Sequence, residues 1–353
     1  MNISAKVTGI RYTPLLCKKL NVFDFEDLSK ALSEEGTFII EINKKQLALS
    51  WWVSAKRTRS YPYARVYDSL DFSGKKVTII PIMKDEGKEG DRDFLQWDTI
   101  SLMSLLGIYV IISYYKTAER SLKYKNKITN QRFDIDHITS KIKDLLYYQS
   151  DALHWNLKEI ENVAEMGKKS LESYERISKT LGIEMHSREY AEKRIKRILE
   201  GKEIFMNLSR DLAHRAQIRE SMTIQPKEDI ATGIKAALTI KNYLGGYYYF
   251  TSDEVKIQDN NIFLIEAKHT KKNKLPSVGD IKDGLLKMIL FTNLEDVKID
   301  GNTYIPIPVL KLTTGKDFIF DELNKQQKKL FEMLKEEARL NGFKILLNDK
   351  FIV

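Results

Sequence analysis

A short apolar strand that ends in charged residues is the strongest constraint in this sequence. The run 262–265 is β-branched and aromatic, which is typical of a buried strand, and Glu266 and Lys268 follow it directly. Asp253 lies on the preceding apolar stretch, beyond a polar turn at 258–261. Buried charges are costly unless they are paired or bind a metal ion. The pattern therefore predicts a hairpin that brings two carboxylates and one ammonium group together.

These residue types are the ones that hold a hard divalent cation beside a phosphate. Mg²⁺ prefers oxygen ligands and is commonly bound by one or two carboxylates together with substrate phosphate. Lys268 follows Glu266 by two residues, so both side chains leave the strand on the same face. An ammonium group there can orient or deprotonate an attacking water molecule. A surface hairpin with an ordinary Glu–Lys ion pair is the alternative.

The arrangement resembles the PD-(D/E)XK nuclease superfamily, and its restriction endonucleases in particular, over residues 225–315. The resemblance implies that Asp253 and Glu266 bind Mg²⁺ together with the backbone carbonyl of Ala267. It also implies that Lys268 is the catalytic lysine. The fold it implies is a restriction-endonuclease-like mixed sheet core flanked by helices.

Other positions bear on this resemblance. Ser252 stands where the name of the motif has proline, a position that varies within the superfamily. An acid on the helix before the first core strand often assists the metal in this superfamily, and Glu228 is compatible with that role. The alternative for Glu228 is a carboxylate that interacts with the helix dipole. Glu-x-Lys also occurs at Glu86 and Lys88, but these residues lie in a polar loop.

The composition favours a polyanionic partner. The 353 residues carry 58 Lys+Arg against 49 Asp+Glu, a formal net charge of +9, which suits nucleic acid or an anionic membrane surface. No apolar run reaches the roughly 18 residues that span a bilayer, and residues 1–6 show no signal-peptide core. The single cysteine excludes a disulfide framework and a multi-cysteine zinc site. We therefore expect a cytoplasmic protein that binds double-stranded DNA and no membrane.

Two basic segments are candidate DNA contacts. In the first, basic residues alternate with Tyr61, Tyr63 and Tyr67, which can contact phosphates and pack against bases. A hairpin edge guarded by charge is the alternative. The second is the loop after Lys268, at the rim of the predicted site. The basic residues concerned are Lys56, Arg57, Arg59 and Arg65 in the first segment, and Lys271, Lys272 and Lys274 in the second.

The predicted fold class is α/β with three successive parts. Residues 1–125 form an N-terminal α/β domain, residues 126–221 a helical segment, and residues 222–353 the nuclease core. The first part is either a recognition domain or a degenerate copy of the core. In that copy Asp68 aligns with Asp253, and Ile82 takes the position of Glu266, so the acid is lost.

The sequence also predicts individual elements. Strands are expected at 37–42, 47–53, 77–83, 108–115, 262–265, 304–312 and 343–347, the two prolines of 304–312 marking an edge or an irregular start. Residues 123–130 are expected to be a basic linker. Helices are expected at 97–106, 226–245, 280–291 and 320–340, with two or three long helices over 134–220 that turn near Gly182.

Three functions are compatible with the sequence. The first is a Mg²⁺-dependent, sequence-specific type II restriction endonuclease. The second is a structure-selective repair or recombination nuclease. The third is a DNA-binding protein whose nuclease core is vestigial. Cutting both strands takes two active centres and the sequence has one complete set, so the first function predicts a homodimer on a palindromic target.

Overall fold

The chain forms two compact units. The split unit combines Met1–Lys19 with Arg210–Val353, and the inserted unit is Leu20–Ser209. The secondary structure is mixed α/β, as predicted. The division differs from the predicted boundaries after residues 125 and 221, because helices of the middle segment pack on strands of the N-terminal part. The computed structural model describes residues 1–55, 60–199, 234–242 and 247–353.

Strands and helices are numbered in chain order. The split unit contains β1 (Asn2–Val7), β11 (Ile234–Asn242), β12 (Tyr247–Gln258), β13 (Asn261–His269), α8 (Val278–Phe291), β14 (Glu295–Ile299), β15 (Asn302–Thr303), β16 (Ile305–Thr313), α9 (Lys325–Asn341), β17 (Lys344–Leu347) and β18 (Lys350–Phe351).

The inserted unit contains the remaining elements. Its strands are β2 (Val22–Asp24), β3 (Thr37–Ile42), β4 (Lys45–Trp51), β5 (Lys75–Pro81), β6 (Met83–Asp85), β7 (Arg92–Phe94), β8 (Ile108–Ser113), β9 (Tyr115–Arg120) and β10 (Ile128–Phe133). Its helices are α1 (Leu28–Glu34), α2 (Ser60–Tyr67), α3 (Trp97–Leu105), α4 (Ile135–Tyr147), α5 (Ala152–Glu161), α6 (Val163–Leu181) and α7 (Arg188–Leu199). Within the described ranges, no helix is long and apolar enough to cross a membrane.

One mixed sheet forms the base of the split unit. Its strand order is β15-β14-β1-β11-β12-β13-β16-β17-β18. Strands β11, β12 and β13 form an antiparallel meander. Helix α8 then leads to β16, which is parallel to β13, and β17 is parallel to β16. Because α8 packs on β13 and β16, its polar residues lie beside the end of β13.

Strand β1 was not predicted, although its sequence carries the signal. Ile3, Ala5 and Val7 are buried and alternate with exposed residues, the pattern of a strand with one covered face. The strand pairs in parallel with β11, more than 200 residues later in the chain, and antiparallel with β14. The N-terminal residues therefore belong to the same sheet as the predicted nuclease core.

The helix predicted over 226–245 is wrong where the structure describes it, because Ile234–Asn242 is strand β11. Ala236, Leu238 and Ile240 are fully buried and recur with a period of two. The apolar residues in this stretch also satisfy helical spacing, so periodicity alone does not separate the two structures. The remainder of the predicted helix lies outside the described residues.

The two prolines of β16 lie at an edge, one of the two positions that the sequence predicts. Pro306 and Pro308 lie in the part of the strand that pairs with β13 alone, since β17 joins only from Val309 onward. Proline has no backbone N–H and is tolerated where one side of a strand has no neighbour. The strand is otherwise central in the sheet.

The inserted unit follows its predicted elements more closely. Its sheet has the order β2-β3-β4-β5-β8, and the β3–β4 hairpin turns through Asn43 and Lys44, whose φ angles are 49° and 66°. Gly182, with a φ of 59°, ends α6 before the chain turns into α7, as predicted. The predicted linker at 123–130 is wrong, because β10 begins within it and pairs antiparallel with β9. The residues of β10 are mostly polar and exposed, so they lack the alternation of apolar and polar residues that would have predicted a strand.

The two units share a succession of elements. Apart from β6 and β7, the inserted unit has the order β3, β4, α2, β5, α3 and β8; apart from β14 and β15, the split unit has the order β12, β13, α8, β16, α9 and β17. The four strands are adjacent in the same order in both sheets, the first two antiparallel and the others parallel. The predicted alignment of the N-terminal copy with the nuclease core is wrong. Asp68 follows helix α2, whereas Asp253 lies on β12. Ile82 follows β5, which corresponds to β16, whereas Glu266 lies on β13. The strand that corresponds to β13 is β4, which contains no acidic residue.

A buried carboxylate on α9 holds the segment that follows β1. Glu337 is fully buried and accepts hydrogen bonds from the hydroxyl of Tyr12 at 2.7 Å and from the backbone N–H groups of Leu15 at 2.9 Å and Leu16 at 3.2 Å. Hydrogen bonds to a charged acceptor are stronger than neutral ones, and leaving such buried donors unpaired is costly. Glu337 therefore ties the N-terminal segment to a helix 320 residues away in the sequence.

Glu337→Ala should destabilise the protein by roughly 2–4 kcal/mol, because buried N–H and O–H donors lose their acceptor. Urea unfolding followed by circular dichroism measures the change. The matched control is Glu336→Ala on the same helix, where an exposed ion pair with Arg339 is removed; its effect should stay within about 0.5 kcal/mol. Equal effects for the two variants would contradict this role of Glu337.

Candidate active site

The β12–β13 hairpin brings Asp253 and Glu266 to neighbouring positions. The strands pair from Gln258/Asn261 to Glu254/Ile265. Just beyond the last pair, the Oδ2 atom of Asp253 accepts a hydrogen bond from the backbone N–H of Ala267 at 2.8 Å. The carboxylate of Asp253 is thereby fixed beside Glu266, as the spacing in the sequence predicted.

Glu266 is almost completely buried, and two ammonium groups neutralise it. Its Oε1 atom lies 2.8 Å from the Nζ atom of Lys268, and its Oε2 atom lies 2.8 Å from the Nζ atom of Lys287. Burial by itself raises the pKa of this carboxyl group, but the charges of Lys287 and Lys268 outweigh it and hold the pKa below its usual value. Glu266 is therefore ionised in the folded protein.

Lys268 is held between two acids. Besides Glu266, its ammonium group donates a hydrogen bond to Asp283 on α8. Burial lowers the pKa of Lys268, but the charges of Glu266 and Asp283 more than offset this and raise it well above the ordinary value. Lys268 is thus a cation in the metal-free protein.

Helix α8 approaches the sheet closely at Gly284. A Cβ atom on this residue would lie 2.7 Å from Leu310 and 3.2 Å from the Cε atom of Lys268. Any larger residue would force the Leu310 side chain, the lysine stem or the helix to shift. The absence of a side chain at Gly284 therefore sets the distance between α8 and the charged end of β13.

The two carboxylates influence each other strongly. Burial, and then the negative charge of Glu266, raise the pKa of Asp253 to about 7, although Lys287 and the Ala267 N–H act in the opposite direction. Near neutral pH the metal-free site therefore contains Asp253 in both its protonated and its ionised form. An electrostatic environment of this kind favours binding of an additional cation.

The sequence identified the pair of acids and the lysine but missed Asp283 and Lys287. These two residues stand four positions apart on α8, so they lie on the same face of the helix. The other residues of α8 are largely apolar and buried. Charged residues at i and i+4 on an otherwise buried helix were the available signal. Glu228, the third predicted acid, lies outside the described residues.

The oxygen donors of the site fit Mg²⁺. Asp253 and Glu266 supply two carboxylates on one sheet face, and the carbonyl of Ala267 is in the same strand. Within the described ranges, no group of three or more His, Cys, Asp or Glu side chains is placed to hold a metal ion. A two-carboxylate site is consistent with a metal that keeps water and phosphate among its ligands, as Mg²⁺ does.

The loop after β13 carries three of the predicted DNA contacts, Lys271, Lys272 and Lys274, and all three are exposed. The N–H of Gly315 donates a hydrogen bond to the carbonyl of Lys272 at 2.9 Å, which holds the loop. His269, just before it, shares a hydrogen bond with the hydroxyl of Thr313, a structural role. With the start of α8 and part of α9, the loop lines a pocket of about 400 Å³. The exposed lysines are therefore in a position to contact phosphate groups.

The first basic segment is only partly described. Three of its predicted contacts lie outside the described residues: Lys56, Arg57 and Arg59. Arg65 donates a hydrogen bond to the carbonyl of Trp51 at 2.7 Å and stacks over its ring, with 4.2 Å to the centroid. Tyr63 and Tyr67 are buried, so the prediction that they pack against bases is wrong. The described part of this segment is largely structural.

The competing Glu-x-Lys at Glu86 does not form a pair of the same kind. Glu86 makes ion pairs with Lys84 and Lys127, whereas the Nζ atom of Lys88 lies 2.6 Å from Glu184. Asp91 lies beside Glu86 across the β6–β7 hairpin, and its backbone N–H donates a hydrogen bond to Oε2 of Glu86 at 3.4 Å, but Lys88 points to Glu184 and does not join them. The β12–β13 site is the stronger candidate.

Comparisons of the chain with protein-family models, with curated proteins and with solved structures found no match. The functional argument therefore rests on the charged cluster at the end of β13. That cluster consists of Asp253, Glu266, Lys268, Asp283 and Lys287.

Asp253→Asn should stabilise the metal-free protein, and more at pH 8 than at pH 5. The pKa of Asp253 is about 7 in the folded protein and exceeds the ordinary value of 3.8. Protonated Asp253 therefore contributes its full share to the free energy of unfolding below about pH 4, and this contribution is lost as the pH rises to 7. The ionised carboxylate costs the wild type on the order of 4 kcal/mol above that pH, and asparagine removes the cost.

Thermal unfolding in EDTA at both pH values measures this effect. Asp296→Asn is the control, because the ion pair with Lys6 lowers the pKa of that exposed acid and its removal should give no gain at pH 8. A gain for Asp253→Asn that is the same at pH 5 and pH 8 would contradict the raised pKa.

Proposed function

We propose that the split unit is a Mg²⁺-dependent nuclease that hydrolyses phosphodiester bonds of double-stranded DNA, in the manner of a type II restriction endonuclease. The observation that carries the proposal is the gathering of Asp253, Glu266 and Lys268 on one face of the sheet, at the end of β13. Two carboxylates and a lysine in this arrangement are suited to phosphodiester hydrolysis. The antiparallel meander, the helix α8 and the parallel strand β16 around them support the resemblance to the PD-(D/E)XK superfamily.

Asp253 and Glu266 have the role of binding the metal, together with the carbonyl of Ala267. Bound Mg²⁺ polarises a phosphoryl oxygen and lowers the pKa of a coordinated water. The acids are held for this task before any ligand arrives, Asp253 by the N–H of Ala267 and Glu266 by its two lysines. Little rearrangement of the backbone is then needed when the substrate binds.

Lys268 has the role of orienting the attacking water and stabilising negative charge. Its raised pKa keeps it protonated in the metal-free site, which favours hydrogen-bond donation over proton abstraction. Asp283 fixes its ammonium group from the side of α8. The exposed lysines of the loop after β13 would contact the DNA backbone, in keeping with the net charge of +9.

Asp253→Ala and Glu266→Ala should each lower DNA cleavage by at least about 100-fold while DNA binding stays largely intact, because phosphate contacts elsewhere dominate affinity. Lys268→Ala should reduce the cleavage rate far more than the affinity, and Lys268→Arg should not restore it, because the planar guanidinium has a different shape. The assay incubates a large plasmid with protein and Mg²⁺ and stops the reaction with EDTA. The double variant Glu86→Ala/Lys88→Ala is the control and should cleave like the wild type.

The pattern of products separates the candidate functions. Discrete bands indicate a sequence-specific enzyme, whereas preference for branched over linear DNA indicates a repair or recombination nuclease. Binding without cleavage, at any Mg²⁺ concentration, would leave a DNA-binding protein with a vestigial core. Wild-type cleavage by Asp253→Ala or Glu266→Ala would remove this site from consideration.

A restriction enzyme with one such site per chain would act as a homodimer. A twofold dimer presents two centres to the two strands and matches a palindromic target. Light scattering of the complex with a DNA duplex should give two chains per duplex. One chain per duplex, together with double-strand breaks at low enzyme concentration, would contradict the dimer.

A further inference from the structure

Both oxygen atoms of Glu266 are already occupied by ammonium groups. Lys268 lies 2.8 Å from Oε1 and Lys287 lies 2.8 Å from Oε2. Under the proposed function this carboxylate is a ligand of Mg²⁺, so the metal competes with one of the two lysines for the oxygen atom that it takes. The structure indicates which lysine that is.

Lys268 has more direct contacts than Lys287. Its ammonium group is shared between Glu266 and Asp283, and its stem packs against the backbone of α8 at Gly284. Lys287, in contrast, donates a hydrogen bond to Glu266 alone among the described residues. Moving Lys287 breaks one ion pair, whereas moving Lys268 breaks two.

The charges of the cluster explain what Lys287 contributes. When all are ionised, Asp253, Glu266 and Asp283 carry three negative charges, and Lys268 and Lys287 carry two positive charges. The metal-free cluster is thus close to neutral, with one negative charge. With Mg²⁺ added and both lysines retained, the same cluster carries one positive charge, which complements a phosphodiester anion.

We infer that Lys287 is an internal counter-cation, which neutralises Glu266 in the metal-free protein, yields this carboxylate to Mg²⁺, and then supplies the positive charge that the bound phosphate needs. Lys287 therefore weakens metal binding and strengthens catalysis. A lysine that only stabilises the fold would not weaken Mg²⁺ binding while it strengthens catalysis, so these opposite effects distinguish Lys287 from such a residue. The first half of the inference rests on the Mg²⁺ site of the proposed function, and the second half rests on its hydrolytic activity as well.

The first test is Mg²⁺ titration calorimetry on the full chain at pH 8.5 without nucleic acid. Lys287→Met should bind Mg²⁺ at least about tenfold more tightly than the wild type, since a cation beside the ligand is removed. Lys287→Arg keeps the charge and should bind like the wild type. Equal or weaker Mg²⁺ binding by Lys287→Met would overturn the inference.

The control is Lys311→Met. Lys311 is a buried lysine of the same sheet, paired at 3.0 Å with Glu254, and it extends to the opposite face from Glu266. Its replacement tests for general effects of removing a buried ammonium group, and Mg²⁺ affinity should not change. A tenfold gain in affinity for this variant as well would count against a specific role for Lys287. Thermal unfolding of each variant shows which of them are folded at the temperature of the titration, and Lys287→Gln replaces Lys287→Met if the latter is not.

The second test measures DNA cleavage over a range of Mg²⁺ concentrations. Lys287→Met should reach half of its maximal rate at a lower Mg²⁺ concentration than the wild type, and its maximal rate should be at least about tenfold lower. A maximal rate equal to that of the wild type would overturn the catalytic half of the inference. Tighter Mg²⁺ binding by Lys287→Met in a protein that never cleaves nucleic acid would refute the proposed nuclease but support Lys287 as the counter-cation.

Discussion

The charge of Glu266 is the constraint on which the candidate site depends. A carboxylate with this degree of burial is stable only if cations reach it, and the sheet itself offers one, Lys268. The second comes from α8, which has to approach closely enough for Lys287 to reach the same group. Gly284 allows that approach, and Asp283 completes the contacts of Lys268. One buried acid thus accounts for Asp283, Gly284 and Lys287 on a helix that is largely apolar.

The two faces of the sheet show what distinguishes a candidate site from an ordinary buried ion pair. Asp253 and Glu254 are consecutive on β12 and therefore point to opposite faces. Glu254 forms ion pairs with Lys311 and Lys256 on its face of the sheet. Among these residues the acids do not outnumber the lysines. On the face of Asp253 the acids exceed the lysines by one. An excess of acids around a carboxyl group with a raised pKa favours a cation-binding functional site, whereas an acid that is paired with two lysines needs no further cation.

The sequence predicts strands and capped helices well when their pattern has one interpretation. Ser277 accepts a hydrogen bond from the N–H of Asp280 at the start of α8, the capping contact that is typical of a serine before an apolar helix. Strand β11 was predicted as a helix because its apolar residues fit both periods, and the sheet on either side of it decides between them. The acids of the site were found because they interrupt an apolar run. Lys287 was missed because a lysine on a helix is ordinarily exposed, and only the tertiary packing of α8 buries it.

The split of one sheet between distant parts of the chain has a consequence for the timing of folding. On the ribosome, β1 is synthesised first, but its neighbours β11 and β14 follow only after the inserted unit. Pairing across so many residues is entropically unfavourable until the intervening chain has become compact. The inserted unit is that intervening chain, and it can become compact on its own. The sheet that carries Asp253 and Glu266 is therefore completed late in folding. A nascent chain of this protein therefore lacks the assembled charged cluster until β13 and α8 have both been synthesised.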